Sequence, residues 1–228
     1  MTRMLLISAI LCSSFLANAQ FKKGNIILGG QLFYGYNSGN QKYTNPPGYP
    51  QYDQKYNYGN ITISAGKALN ENTAVGINLS YLPSTSKNDN GNGNGPFYYK
   101  NNGYSVGIFY RKYKTLGKEF YLFGQTDAYY NWSDQSVKDS TGSTISTGTG
   151  WGAGFDIFPG ISYRISKHFF LELTIPSLFV IQYNKSSTSD HGSSVNYNSN
   201  SQSDQFTISS SLSSNPLNAL GIGFRLIL

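Results

Sequence analysis

The chain has 228 residues, a formal charge of +6 and a single cysteine, Cys12. One cysteine excludes a disulfide scaffold, and the 17 lysines and arginines are scattered rather than clustered as nucleic-acid binding requires. The low mean hydropathy and the lack of a second long apolar run exclude a helical membrane protein.

The first 19 residues have the pattern of a secretory signal peptide. Arg3 supplies a positive charge, residues 4–16 are mostly apolar, and residues 17–19 form an A-x-A cleavage site. The apolar stretch is too short for a spanning helix, which needs ~20 residues, and Leu11 is bulkier than the residue that a lipoprotein signal places before its cysteine. We expect a signal peptide at 1–19 and one domain at 20–228, which then contains no cysteine nucleophile.

Eight later segments alternate with period two between apolar residues and small or polar ones, as β-strands do. These predicted strands cover residues 25–36, 56–69, 73–81, 103–112, 120–131, 150–165, 168–183 and 206–228. Short turns follow the second, fourth and sixth strands, whereas long polar loops are predicted at 37–55, 82–102, 132–149 and 184–205. The pattern predicts an all-β fold, an eight-stranded antiparallel up-and-down barrel.

The two faces of these strands favour a transmembrane barrel over a soluble one. A soluble barrel directs its apolar face inward, but here the small or polar face carries three acids and three bases. An eight-stranded barrel is just wide enough to be filled by side chains, so this balanced set predicts an ion-paired interior. The predicted interior network is Arg111, Asp127, Asp156, Arg164, Glu172 and Arg225. Glu172 lies on the strand between those of Arg164 and Arg225, which predicts an Arg-Glu-Arg plug near the short turns.

Aromatic residues of the apolar face gather at the strand ends, where they form the two girdles of a transmembrane barrel. The predicted girdle residues are Tyr34, Tyr36, Tyr81, Tyr104, Tyr110, Phe120, Tyr130, Trp151, Tyr163, Phe169, Tyr183 and Phe224. We therefore predict a monomeric barrel of outer-membrane type, in contact with outer-membrane lipid and with both termini on the periplasmic side.

Several motifs also resemble a known family. GKALNENTAVGI (66–77), FYLFG (120–124), PGISYRISKHFFLE (159–172) and the final LGIGFRLIL are similar to the porin-like outer-membrane β-barrel domain family. The resemblance covers essentially all of the chain after residue 19 and implies location in a Gram-negative outer membrane and insertion by the barrel assembly machinery. Members commonly end in an aromatic residue, whereas this chain ends in Leu228, four residues after Phe224.

No catalytic, cofactor or metal site is predicted. Asp190, His191, Ser193 and Ser194 have the residue types of a hydrolase triad, but they crowd a Ser/Asn-rich loop without a rigid frame. The two histidines are far apart in a chain without ligating cysteines, which is a weak metal pattern.

Two aspartates leave an alternative open. Asp127 and Asp156 lie at similar heights on neighbouring strands and could share a proton or act as an acid–base pair. We expect instead that arginines or interior water neutralise them.

The predicted function is a non-enzymatic envelope role, structural or in surface interaction. The surface role would use the long loops, whose tyrosines include Tyr43, Tyr49, Tyr52 and Tyr56. The alternatives are a narrow porin-like channel for small solutes and a lipid-modifying barrel enzyme.

Overall fold

The computed structural model describes residues 22–41, 52–89, 95–175, 178–191, 198–210 and 220–228. Within these ranges the chain forms ten antiparallel strands: β1 (Ile26–Gln41), β2 (Tyr52–Asn70), β3 (Thr73–Asp89), β4 (Phe97–Thr115), β5 (Phe120–Lys138), β6 (Thr144–Arg164), β7 (Phe169–Thr174), β8 (Phe179–His191), β9 (Asn198–Ser210) and β10 (Gly221–Ile227). No helix in the described ranges is long and apolar enough to span a membrane. The predicted signal peptide at 1–19 lies outside them.

Eight of the strands close into a ring. Strands β1 to β7 pair in sequence order, and β10 joins β7 back to β1. The β8–β9 hairpin pairs with the other half of β6, from Ile157↔Phe179 to Ser146↔Asp190. The predicted eight-stranded antiparallel barrel is therefore confirmed.

Two of the predicted strands are each divided in the structure. The predicted strand 168–183 is divided into β7 and β8, and the predicted strand 206–228 is divided into the end of β9 and β10. The sequence places Pro176 between the first pair and Pro216 between the second. Because proline has no N–H to donate to a sheet, it disfavours a continuous central strand.

The ring is strongly staggered. Following the paired residues from Gly30 in the two directions around the ring leads to Ala153 and to Tyr163, which lie ten residues apart on β6. Such a stagger requires strands tilted by about 35–45° to the barrel axis. An eight-stranded barrel of this kind is narrow enough for side chains from opposite walls to meet.

The strands are much longer than the sequence pattern predicts. β2, β4 and β5 have 19 residues each and β6 has 21, whereas a tilted strand needs about 9–11 to cross a bilayer. The predicted loops 82–102, 132–149 and 184–205 are therefore wrong over most of their length, because β3–β4, β5–β6 and β8–β9 continue there as hairpins. In the predicted loop 37–55, β1 extends to Gln41 and β2 begins at Tyr52, and residues 42–51 lie outside the described ranges. We call the end of the barrel at which these hairpins extend the hairpin end. The opposite end, with the short connections 71–72, 116–119 and 165–168, is the turn end.

An apolar belt covers the outside of the barrel between these ends. Its most exposed members include Ile61, Ile63, Ile77, Ile108 and Ile222, each at least 48% exposed. On the hairpin side of this belt, five of the predicted girdle residues and Trp132 form a continuous series of ring contacts across β3, β4, β5, β6 and β8, with centroid separations of 5.3 to 6.3 Å: Tyr81–Tyr104, Tyr104–Trp132, Trp132–Tyr130, Tyr130–Trp151 and Trp151–Tyr183.

Trp132, which joins this series, was predicted to begin a loop and was missed. The turn end carries the pairs Phe120–Tyr163 and Phe169–Phe224, at 4.8 and 6.3 Å. The other predicted girdle residues, Tyr34, Tyr36 and Tyr110, are exposed on the outer face.

Candidate functional site in the barrel interior

The turn end of the interior is filled by an apolar floor. Its side chains are almost fully buried and come from the inward positions of the strands: Ile27, Ala68, Ala74, Phe109, Tyr113, Tyr121, Phe123, Phe158, Phe170 and Ile227. Tyr113 packs on Phe123 at 5.9 Å between ring centroids, and Tyr121 packs edge-on against Phe170 at 5.9 Å.

The sequence analysis predicted a polar interior and missed this floor. The available signal was the loss of alternation near the turns, where Phe169 and Phe170 are both aromatic although they face opposite sides.

An ion triad lies on this floor. Glu172 on β7 accepts hydrogen bonds through Oε1 from Arg111 Nη1 at 2.6 Å and from Arg225 Nε at 2.9 Å, and through Oε2 from Arg225 Nη2 at 3.2 Å. The Arg111 guanidinium also lies 4.0 Å from the centroid of the Phe123 ring, a distance at which a cation is attracted to the ring face. β4 and β10 stand four places apart in the ring of eight, so Arg111 and Arg225 come from opposite walls. The triad therefore bridges the lumen.

Arg164 lies apart from this triad. Its side chain is at the rim of the turn end and binds Glu119, with Nε donating to Oε2 at 2.8 Å and Nη2 donating to Oε1 at 3.3 Å. The predicted plug thus differs in one member, because Arg111 from across the lumen takes the place of Arg164 beside Glu172. Glu119 lies in the short connection 116–119, outside the barrel wall, and its hydrogen bonds from Arg164 hold the pKa of its carboxyl group below the ordinary value.

The two aspartates lie on the hairpin side of the triad. Asp127 accepts hydrogen bonds from Asn78 Nδ2 at 2.9 Å and from Gln125 Nε2 at 2.8 Å. Gln125 in turn accepts from Arg111 Nε at 2.5 Å, which links Asp127 to the triad. Asp156 lies directly opposite Asp127 on the neighbouring strand. The structure thus brings together five of the six predicted network residues.

A cavity of about 310 Å³ opens above the triad. Its lining includes the charged side chains of Arg111, Arg225, Asp127 and Asp156 and the amide of Gln125. The rest of its wall is mainly neutral and polar, with Asn60, Thr62, Ser64, Asn78, Ser80, Ser105, Tyr129, Asn131 and Gln182 among the lining residues. Such a surface can hydrogen bond to hydroxyl, amine and amide groups of a small molecule.

The residues weighed for catalysis and metal binding do not form a site in the described ranges. Asp190 accepts a hydrogen bond from Ser199 at 3.1 Å, and His191 Nε2 lies 3.5 Å from the hydroxyl of Thr147. Ser193 and Ser194 lie outside the described residues. His168 donates from Nδ1 to the carbonyl of Ile227 at 2.8 Å, a backbone contact at the turn end. Over the same ranges, no three His, Cys, Asp or Glu side chains are grouped as a metal site requires.

Comparison with known proteins supports the fold. No protein-family model and no curated protein matches the chain, so the predicted porin-like family is not shown. The crystal structure of the outer membrane protein OprG from Pseudomonas aeruginosa aligns with a TM-score of 0.53 and 11% identity, over 92% of this chain and 99% of that one. A major outer membrane protein from Thermus thermophilus aligns with a TM-score of 0.50 and 11% identity, over 90% of this chain and 99% of that one. This chain therefore has the fold of small outer-membrane β-barrel proteins.

Proposed function

We propose that this protein is a non-enzymatic outer-membrane barrel with a closed base, which supports the cell envelope and displays long hairpins at the cell surface. The observation that carries the proposal is the filled turn end, where the apolar floor and the Arg111–Glu172–Arg225 triad occupy the lumen. A channel would need a continuous water path through this region, and the described residues leave none of the width found in large porins.

The outer surface supports the membrane location. Exposed aliphatic residues form a belt between two groups of aromatic rings, which is how a barrel meets hydrocarbon and the two headgroup layers. In water, an uncovered apolar belt of this extent would drive association. Insertion by the barrel assembly machinery, a monomeric state and periplasmic termini belong to the same proposal.

The hairpins supply the surface for interaction. Beyond the aromatic series on the hairpin side of the belt, β3–β4, β5–β6 and β8–β9 continue as paired strands rich in Ser, Thr, Asn and Tyr. The tyrosines predicted to act at the surface belong instead to the segment between β1 and β2 and to the start of β2: Tyr43 and Tyr49 lie outside the described residues, Tyr52 begins β2, and Tyr56 stacks on Tyr58 at 5.3 Å between ring centroids. A paired hairpin holds such side chains in fixed positions, which lowers the entropy lost on binding a partner.

Planar-bilayer recording of the refolded full chain tests the closed base. The wild-type protein is expected to insert without steady single-channel current, whereas Phe123→Ala/Phe170→Ala, which removes two aromatic side chains of the floor, is expected to conduct. Phe120→Ala is the matched control, because Phe120 lies at the same end but is 51% exposed on the outer face. Heat-modifiable migration on gels verifies folding of all three. Steady current through the wild-type protein would refute the closed base and support the narrow channel.

A further inference from the structure

The exposed lysines of the described residues are concentrated at the turn end, although lysines are scattered along the sequence. Six of them lie in the segment before β1, inside a short connection or within four residues of one: Lys22, Lys23, Lys67, Lys112, Lys118 and Lys167. We call these six side chains the basic collar. They belong to β1, β2, β4 and the connections that follow β4 and β6, so they surround the barrel rather than form one patch.

Acidic side chains do not balance the basic collar within the described ranges. The turn end carries two acidic side chains outside the lumen, Glu71 and Glu119, and Arg164 engages Glu119 at 2.8 Å. No ion pair in those ranges includes a lysine of the collar. The hairpin end differs, because the described residues beyond its aromatic series include five lysines and six aspartates. The excess of positive charge outside the barrel is therefore confined to the turn end.

The basic collar lies at the edge of the apolar belt. On the outer face of β4, the position that follows the exposed ring of Tyr110 is that of Lys112. Because a strand rises about 3.3 Å per residue, Lys112 lies about 7 Å beyond Tyr110 along β4. Lys118 lies two residues before Phe120, and Lys167 likewise lies two residues before an outward aromatic residue. Aromatic rings of a barrel mark the membrane interface, so lysines beside and beyond them are at the level of the lipid headgroups.

We propose that the basic collar binds the phosphate groups of anionic phospholipids in the membrane leaflet at the turn end, an inference that rests on the membrane barrel of the proposed function. A lysine stem can lie along apolar surface while its ammonium group extends to the headgroups. Anionic lipids attract such lysines, and the attraction falls off within a Debye length. A zwitterionic headgroup carries its own ammonium group and offers no net charge to the collar.

The distribution of the lysines favours lipid over a soluble acidic partner. A soluble protein or polymer meets one side of the barrel or its base, whereas a bilayer meets the outer wall all the way around. Lys67 on β2 and Lys112 on β4 both point outward from this wall, as their exposure and their alternation with buried Ala68 and Arg111 show. The collar therefore suits a partner that encircles the barrel.

Electron spin resonance of spin-labelled lipids measures this preference on the refolded full chain in phosphatidylcholine vesicles. Spin-labelled phosphatidylglycerol, which is anionic, is expected to associate with the barrel about two- to fivefold more strongly than spin-labelled phosphatidylcholine, as when one lysine meets one phosphate near water. About 1 M salt, where the Debye length is about 3 Å, is expected to abolish the preference. Insertion with equal association of both lipids at low salt would overturn the collar alone and leave a soluble acidic partner. A chain that does not insert would refute the membrane barrel as well.

A triple variant then tests whether the collar carries the preference. Lys112→Gln/Lys118→Gln/Lys167→Gln removes three of the six collar charges at exposed positions. It is expected to reduce the excess association of phosphatidylglycerol by about half or more, because the attraction acts charge by charge. If this variant folds, by heat-modifiable migration, and keeps the full preference of the wild type, the proposal fails.

The matched control makes the same change of charge at the hairpin end. Lys55, Lys100 and Lys138 are also exposed, but they lie beyond the aromatic series on the hairpin side of the belt. Lys55→Gln/Lys100→Gln/Lys138→Gln is expected to retain the preference for phosphatidylglycerol. A loss as large as that of the collar variant would show that overall charge, and not the collar, attracts the lipid, which would also overturn the proposal.

Discussion

Replacing Glu172 with Gln isolates the contribution of the ion triad to stability. The substitution keeps the shape of a side chain that is 4% exposed but removes the negative charge that Arg111 and Arg225 contact at 2.6 and 2.9 Å. Removing one partner of a buried ion pair costs roughly 3–5 kcal/mol. Two arginines lose their partner here, which increases the expected loss in the free energy of unfolding. The interior would then hold two arginines and two aspartates, and the attraction between these opposite charges reduces that loss. We therefore expect Glu172→Gln to reduce the free energy of unfolding by about 3 kcal/mol.

The assay is reversible urea unfolding of the barrel in lipid vesicles, followed by gel migration and tryptophan fluorescence. Glu119→Gln is the control, because its ion pair with Arg164 is exposed at the rim and contributes little in water. The double variant Arg111→Met/Glu172→Gln is expected to recover part of the loss, since it removes one of the two unpaired cations. If Glu172→Gln unfolds within about 0.5 kcal/mol of the wild type, an ordinary surface effect, the triad does not stabilise the barrel and the reasoning is refuted.

Two further predictions use neighbouring features of the wall and rim. Gly76→Ala is expected to lower the free energy of unfolding by about 1–3 kcal/mol through overpacking, because a Cβ there would overlap the Ala65 carbonyl oxygen and the Phe109 ring, whereas Gly124→Ala, with open space at its Cβ, should leave urea unfolding unchanged. The pKa of Glu119 is lowered by its hydrogen bonds from Arg164, so the small stability it contributes is present above the ordinary value of 4.5 and is lost as the pH falls through the lower folded-state pKa. Glu119→Gln should remove this acidic dependence, and an unchanged pH profile of the urea midpoint would contradict the assignment.

The sequence pattern predicted correctly only those parts of the strands whose two faces meet different surroundings. Along the apolar belt, residues such as Ile77 and Asn78 alternate because one contacts the outside and the other the interior. Beyond the aromatic series on the hairpin side of the belt, both faces of a hairpin suit polar residues. The alternation of apolar and polar residues therefore disappears, although the backbone pairing of the strands continues, as in Lys87↔Tyr98. The same argument applies in reverse at the turn end, where both faces are apolar and the floor was missed.

The sequence by itself determined the ring of eight strands, the outward apolar belt and most of the outward aromatic residues that flank it, because each depends on a local period of two and on the lengths of the turns. It also identified Arg111, Glu172 and Arg225 as inward residues. Which of them meet was decided by the tertiary structure. The stagger of the ring sets the height of every inward side chain, and the narrow lumen allows contact between opposite walls. Arg164 is therefore at the rim beside Glu119, and Arg111, distant along the sheet, reaches Glu172 across the barrel.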